Sequence, residues 1–122
     1  MAFAIIDGDD VGNKVETHIL ANDITKFVES SRMINAALEG LAARMAELPG
    51  VSLVHTGGDS ILIEVQDGSV DLITQALNEA QSPGTLTFSA GVGSTLRQSF
   101  LALRMAKSSG KCRIVRFKDA AE

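Results

Sequence analysis

Apolar positions along the chain fall into short solid runs and helical stripes that alternate. Ala2 to Ile6 is an apolar run too short for a helix, and Asp7-Gly8-Asp9-Asp10 ends it, so the pattern predicts a buried strand and an acidic turn. Val11 to Leu20 reads as a short helix. Asn22-Asp23 then offers an N-cap for a long helix, because either side chain accepts from the first free amides. Its inward stripe is Ile24, Phe27, Val28, Ile34, Ala37, Leu38, Leu41, Met45 and Leu48, and Pro49-Gly50 stops it. Val51 to His55 and Ile61 to Val65 flank Thr56-Gly57-Gly58-Asp59-Ser60, which predicts a β-hairpin whose turn takes its positive φ from glycine.

After the hairpin, Asp67 to Ser69 opens a helix with Val70, Ile73, Ala76, Leu77 and Ala80 inward, and Ser82-Pro83-Gly84 breaks it. Leu86 to Val92 is a strand ending among Gly91 and Gly93. Ser94 or Thr95 caps a further helix with Leu96, Phe100, Leu103 and Ala106 inward, and Gly110 ends it. Cys112 to Phe117 is a last strand, and Lys118 to Glu122 a frayed tail. The order β-α-β-β-α-β-α-β has no linker or repeat. It predicts one α+β domain over residues 1–122, with a ferredoxin-like βαββαβ core, helices on one face of an antiparallel sheet, and an additional C-terminal helix and strand.

Length and charge narrow the function. The 122 residues suit one domain, and 45% hydrophobic with 21% charged residues is enough apolar material for a core. The net charge of −4 argues against a nucleic-acid polymer as partner, since sequence-blind binding needs a basic surface. The absence of Trp and Tyr removes the usual base-stacking platforms. A single Cys112 fits a reduced, cytoplasmic setting, and with no run of about 18 apolar residues no direct membrane contact is expected.

The candidate chemistry lies in the turns. In a ferredoxin-like sheet the first strand and the first hairpin strand are expected side by side, which brings Asp7 and Asp59 together at one sheet end. Two such carboxylates repel unless a cation sits between them, and hard oxygen donors suit Mg²⁺ or Mn²⁺. Gly8, Gly57 and Gly58 leave backbone open to a close-lying nucleotide, and amides following the first strand form a nest for a triphosphate. Lys107 and Lys111 flank Ser108-Ser109-Gly110 and would neutralise phosphate oxygens, or else complement a helix dipole. Taken singly, each acid also suits a turn for its local hydrogen bonding. His55 is expected packed in or beside the hairpin, Cys112 in the core, and Arg97, Arg104, Arg113 and Arg116 on a solvated face.

Four segments in order, Asp7-Gly8-Asp9-Asp10-Val11-Gly12, Gly57-Gly58-Asp59-Ser60, Ser89-Ala90-Gly91-Val92-Gly93 and Ala106-Lys107-Ser108-Ser109-Gly110-Lys111, resemble the minimal CRISPR polymerase family. This family is related to the palm domain of type III CRISPR complexes and, more distantly, to GGDEF diguanylate cyclases. The resemblance implies the joining of nucleoside triphosphates, ATP first among them, into a cyclic di- or oligonucleotide with release of pyrophosphate. It implies Asp7, the Gly8 carbonyl and Asp59 as metal ligands and Lys107 and Lys111 as phosphate contacts. Asp9, Asp10, Asn13 and Asn22 become candidates for ribose or base, beside Gly57, Gly58 and Ser60 at the turn. A signalling role in anti-phage defence follows by analogy, with a separate effector protein sensing the product. Closing a ring on so small a fold suggests a homodimer.

Ser60 departs from the pattern, for a second acid stands there in GGDD and GGDEF enzymes. It keeps open a catalytically inactive, nucleotide-binding relative of the same fold. A phosphoacceptor receiver domain would use Asp9-Asp10, Asp59, Ser89 and Lys111. It needs a second strand where Asp23 to Leu48 reads as unbroken helix.

Overall fold

The computed structural model describes residues 1–81 and 86–120. The elements are β1 (Ala2–Gly8), α1 (Val11–Leu20), α2 (Ile24–Glu47), β2 (Val51–Gly57), β3 (Ser60–Val65), a single 3₁₀ turn at Asp67–Ser69, α3 (Val70–Ala80), β4 (Phe88–Gly93), α4 (Leu96–Ser108), β5 (Ile114–Arg116) and α5 (Phe117–Ala120). The chain forms the α+β, ferredoxin-like arrangement read from the sequence, with α4 and β5 added. The expected breaker at Ser82-Pro83-Gly84 lies outside the described residues.

The five-stranded sheet runs β2-β3-β1-β4-β5. β1 is central and antiparallel to both neighbours, with Asp7 opposite Ser60 on β3 and opposite Ser89 on β4. This corrects the expected pairing: the second hairpin strand, not the first, lies beside β1, and β2 is the edge. Asp59 still reaches β1, because the hairpin turn leads directly into β3. β5 joins β4 in parallel, so the sheet is mixed rather than purely antiparallel.

Alternation along the strands sends successive side chains to opposite faces. Ala4, Ile6, Ile61, Ile63, Val65, Ala90 and Val92 form one core with Ile34, Leu38, Leu41 and Met45 of α2 and Ile73 and Leu77 of α3. Each fully buried Ile or Leu there contributes about 1.5–3 kcal/mol. The core helices α2 and α3 share one face as expected, and the additional helix α4 covers the other. A Cβ on Gly91 would lie 2.1 Å from the Leu103 nitrogen and 2.2 Å from the Ser99 oxygen, so glycine lets the α4 backbone touch the sheet. Ser99 Oγ ties the contact by donating to the Phe3 carbonyl at 2.7 Å.

That close approach also rotates α4 from its expected seat. Ser99, Ala102, Leu103 and Ala106 are buried, whereas Leu96 and Phe100 are exposed, because small side chains face the glycines. On α2, Ile24 and Val28 are exposed although their spacing fits the inward stripe. A helix of 24 residues is about 36 Å long and overhangs strands of seven residues, about 23 Å. Its cap is Asp23, which accepts from the Lys26 amide at 3.0 Å, and Thr95 caps α4 by accepting from Gln98. Phe117, expected to end the last strand, and residues 118–120, expected to fray, form α5.

Candidate functional site

β1 ends in a hydrogen-bonded knot. The Gly8 amide donates to the Asp59 carbonyl at 3.0 Å and the Asp9 amide to the Thr87 carbonyl at 2.9 Å. Those bonds stitch β1 to the hairpin turn and to the entry of β4. They also use the amides expected to form a phosphate nest. Free amides begin one turn later, at the start of α1, where Val11, Gly12 and Asn13 have no intrahelical acceptor. Asp10 makes this corner in a left-handed conformation (φ 56°).

Asp7, Gly8 and Asp59 meet at this sheet end. Asp7 Oδ1 accepts from Ser60 Oγ at 2.9 Å, and Asp7 Oδ2 lies 3.3 Å from Lys107 Nζ. Gly8 turns its carbonyl to the same ammonium at 2.8 Å. The Asp59 Cβ stands 3.9 Å from where a Gly8 Cβ would be. Among the described residues the Asp59 side chain makes no hydrogen bond or ion pair. The two-residue turn is built on Gly58 (φ 58°), a backbone that other residues adopt at a cost.

Asp9 is the residue whose position the sequence least discloses. Expected against ribose or base, it is only 3% exposed. Its Oδ1 accepts from Ser89 Oγ at 2.7 Å and Lys107 Nζ at 2.8 Å, and its Oδ2 from Thr87 Oγ1 at 2.7 Å and the Cys112 amide at 3.0 Å. Burial pushes its pKa up, but bonds from Lys107, Ser89, Thr87 and Cys112 outweigh that and hold it below the ordinary carboxylate value. Burial likewise pulls Lys107 down, while Asp9 and Asp7 prevail and hold it above the ordinary lysine value. Asp9 is therefore an ionised internal hub joining β1, β4, α4 and the loop before β5.

That loop corrects another expectation. Cys112 is exposed and precedes β5, in a left-handed turn with Lys111 (φ 51° and 61°). Lys111 Nζ pairs with the Asp10 carboxylate at the start of α1. Asn13 is exposed on the first turn of α1, whereas Asn22 lies beyond its far end, about 15 Å of helix away. The structure does not bring Asn22 to the sheet end. His55 is exposed on the edge strand, its Nε2 2.8 Å from where a Gly57 Cβ would stand.

Asp59 and Gly58 open onto a cavity of about 460 Å³ between α1 and α2, walled by Val11, Val15 and Ile34 with Ser31 and Asn35 on its rim. Sequence reading missed Ser31 and Asn35, because on a long amphipathic helix they look like ordinary solvated positions. It missed the anchoring roles of Thr87 and Ser89 because a small hydroxyl in or beside a strand does not disclose the distant carboxylate it faces. The Asp7 carboxylate and Gly8 carbonyl converge on one cation, the Lys107 ammonium, and hard oxygens of this kind suit Mg²⁺. No group of three or more His, Cys, Asp or Glu capable of holding a metal occurs among the described residues. Mg²⁺ takes one or two carboxylates and completes its shell with water and phosphate.

The fold is that of GGDEF and CRISPR palm domains. The GGDEF domain of DgcB from Caulobacter crescentus, in complex with c-di-GMP, superimposes with a TM-score of 0.70 at 15% identity, covering 96% of this chain and 77% of that one. The active GGEEF domain of a diguanylate cyclase from Vibrio cholerae gives 0.62 at 16% identity, covering 95% and 81%. A Csm1–Csm4 cassette in complex with pppApA gives 0.62 at 23% identity, covering 93% of this chain but 20% of that one. No curated protein matches the chain in sequence. The minimal CRISPR polymerase domain model matches residues 3–117, and the chain belongs to that family. Among the described residues no helix is long and apolar enough to cross a membrane.

Proposed function

We propose that the protein is a metal-dependent nucleotidyltransferase that joins nucleoside triphosphates, ATP first among them, into a cyclic di- or oligonucleotide. The observation that carries this reading is the convergence of Asp7 Oδ2 and the Gly8 carbonyl on one cation, at the sheet end where the Gly8 amide donates to the Asp59 carbonyl. Family membership and the shared palm fold support it, and adenine is favoured by the pppApA and cA4 in the Csm1–Csm4 cassettes.

Asp7, the Gly8 carbonyl and Asp59 would hold Mg²⁺ or Mn²⁺, with Gly57 and Gly58 keeping the turn low beside the nucleotide. Such an ion lowers the pKa of an attacking hydroxyl and offsets charge on the leaving pyrophosphate. The α1 amides face the phosphates, and Lys107 and Lys111 offset their charge. The cavity beside Asp59 accepts the base, with Ser31 and Asn35 offering hydrogen bonds. Ser60 fixes Asp7 by donating to it. In each step a ribose hydroxyl oxygen bonds to an α-phosphorus, the bond to the pyrophosphate oxygen breaks and pyrophosphate departs, and the hydroxyl proton passes to water. One chain supplies one such site, so ring closure takes two copies face to face. The product would act as an anti-phage signal read by a separate effector protein.

Incubation with the four triphosphates and Mg²⁺ or Mn²⁺, followed by chromatography, tests the reading. A cyclic product and pyrophosphate are expected. Nucleotide binding without product would make the protein an inactive relative, the alternative that Ser60 motivates.

A further inference from the structure

The oxygens assigned above to a divalent ion already have a cation. Lys107 Nζ takes the Gly8 carbonyl at 2.8 Å and lies 3.3 Å from Asp7 Oδ2, while Asp9 Oδ1 holds it at 2.8 Å. Mg²⁺ binds oxygen at about 2.0–2.1 Å, so an ion on these two oxygens would stand close against the ammonium and be repelled by it. The two cations compete for one place.

The surroundings let the ammonium leave. Asp9 keeps Ser89, Thr87 and the Cys112 amide when Lys107 departs, and Asp7 keeps Ser60. Lys107 stands in the last turn of α4 on a flexible four-carbon stem, within reach of the same sheet end. A triphosphate arriving with the ion supplies the anionic partner that Asp7 and Gly8 give up.

We propose that Lys107, backed by Asp9, is the resident cation of the metal-free site, and that a divalent ion enters by exchange as Lys107 moves from Asp7 and Gly8 onto the incoming triphosphate. The ion and the nucleotide then bind as a coupled pair, each raising the affinity for the other by the same factor. The ion alone binds poorly, which keeps the site from filling before substrate arrives. This inference rests on the metal-dependent reading above.

The test is Mn²⁺ affinity, read from the free-ion electron paramagnetic resonance signal, with and without an ATP analogue whose α,β-bridge is methylene. Lys107→Met is expected to bind Mn²⁺ alone about tenfold more tightly than the natural protein, with a smaller gain when the analogue is added. Arg104→Met removes an exposed charge from the same helix and controls for a general change in field. Asp9→Asn/Lys107→Met, which leaves no unpaired buried charge, repeats the measurement if the single variant does not fold. Equal or weaker Mn²⁺ binding in the Lys107 variants, or the same gain in Arg104→Met, overturns the exchange. Mn²⁺ binding in no protein, analogue present or absent, overturns the metal-dependent reading itself.

Discussion

Ser60 Oγ donates to Asp7 Oδ1 at 2.9 Å across the β1–β3 pair, and the two residues stand directly opposite in the register. A second acid at this position would face Asp7 and repel it; the hydroxyl instead orients it. The expected result for Ser60→Asp is a lower melting temperature without metal, which Mg²⁺ restores, because the new like-charge pair needs a cation. Melts with and without Mg²⁺ check it. A variant that melts as the natural protein does in both conditions would leave Ser60 without influence on Asp7.

The two carboxylates proposed for the metal differ in their surroundings, and their variants should differ too. Asp59→Asn removes no side-chain bond among the described residues and is expected to change stability by less than about 0.5 kcal/mol. Asp7→Asn gives up its charge against Ser60 and Lys107, and about 1.5–3 kcal/mol is expected to go with it. Both should abolish product formation and the stabilisation given by Mg²⁺ with ATP. Paired melts and a chromatographic assay decide; turnover by either variant defeats the assignment.

Removing Asp9 should hurt folding far more than its place in an acidic turn suggests. Asp9→Ala leaves Lys107 without its closest carboxylate and three further donors without an acceptor. Breaking a buried pair in this way costs about 3–5 kcal/mol. Urea denaturation measures it. A loss below 1 kcal/mol, on the order of a surface substitution, would return Asp9 to the solvated turn.

The same pair sets a pH window. Asp9 is held below its ordinary 3.8, so its contribution is complete above that value and is lost as pH falls through the folded pKa. Lys107 is held above its ordinary 10.5, so its contribution is complete below that value and is lost as pH rises through the folded pKa. Stability profiles of the natural protein and of Asp9→Asn/Lys107→Met should diverge between these limits and converge beyond them. Parallel profiles would show that the pair is not linked to folding.

Gly91→Ala tests the packing of α4. The added methyl would meet backbone at 2.1 and 2.2 Å, where no side chain can yield. A loss at or above the upper end of about 1–3 kcal/mol is expected, against about 1–2 kcal/mol for Gly58→Ala, where only the positive φ resists. Equal melts for the two would mean that α4 does not rest on Gly91.

The chain's periodicity and punctuation determined its elements almost completely, because both are local. Asp7-Gly8, the Gly57-Gly58 hairpin and the capped helices announce themselves over a few residues, and their order suffices for a ferredoxin-like core. Tertiary structure decided what depends on distant partners. Whether β2 or β3 sits beside β1 leaves the order of elements unchanged, and α4 crosses to the second face because Gly91 and Gly93 admit its backbone there. Asp9, Asp10 and Asn13 look alike as polar residues after a strand. Only the fold buries Asp9 between Thr87, Ser89, Cys112 and Lys107, residues 78 to 103 positions away, while leaving Asp10 and Asn13 in solvent. A carboxylate becomes an anchor or a ligand according to the donors that meet it, and donors so remote along the chain leave no periodic trace.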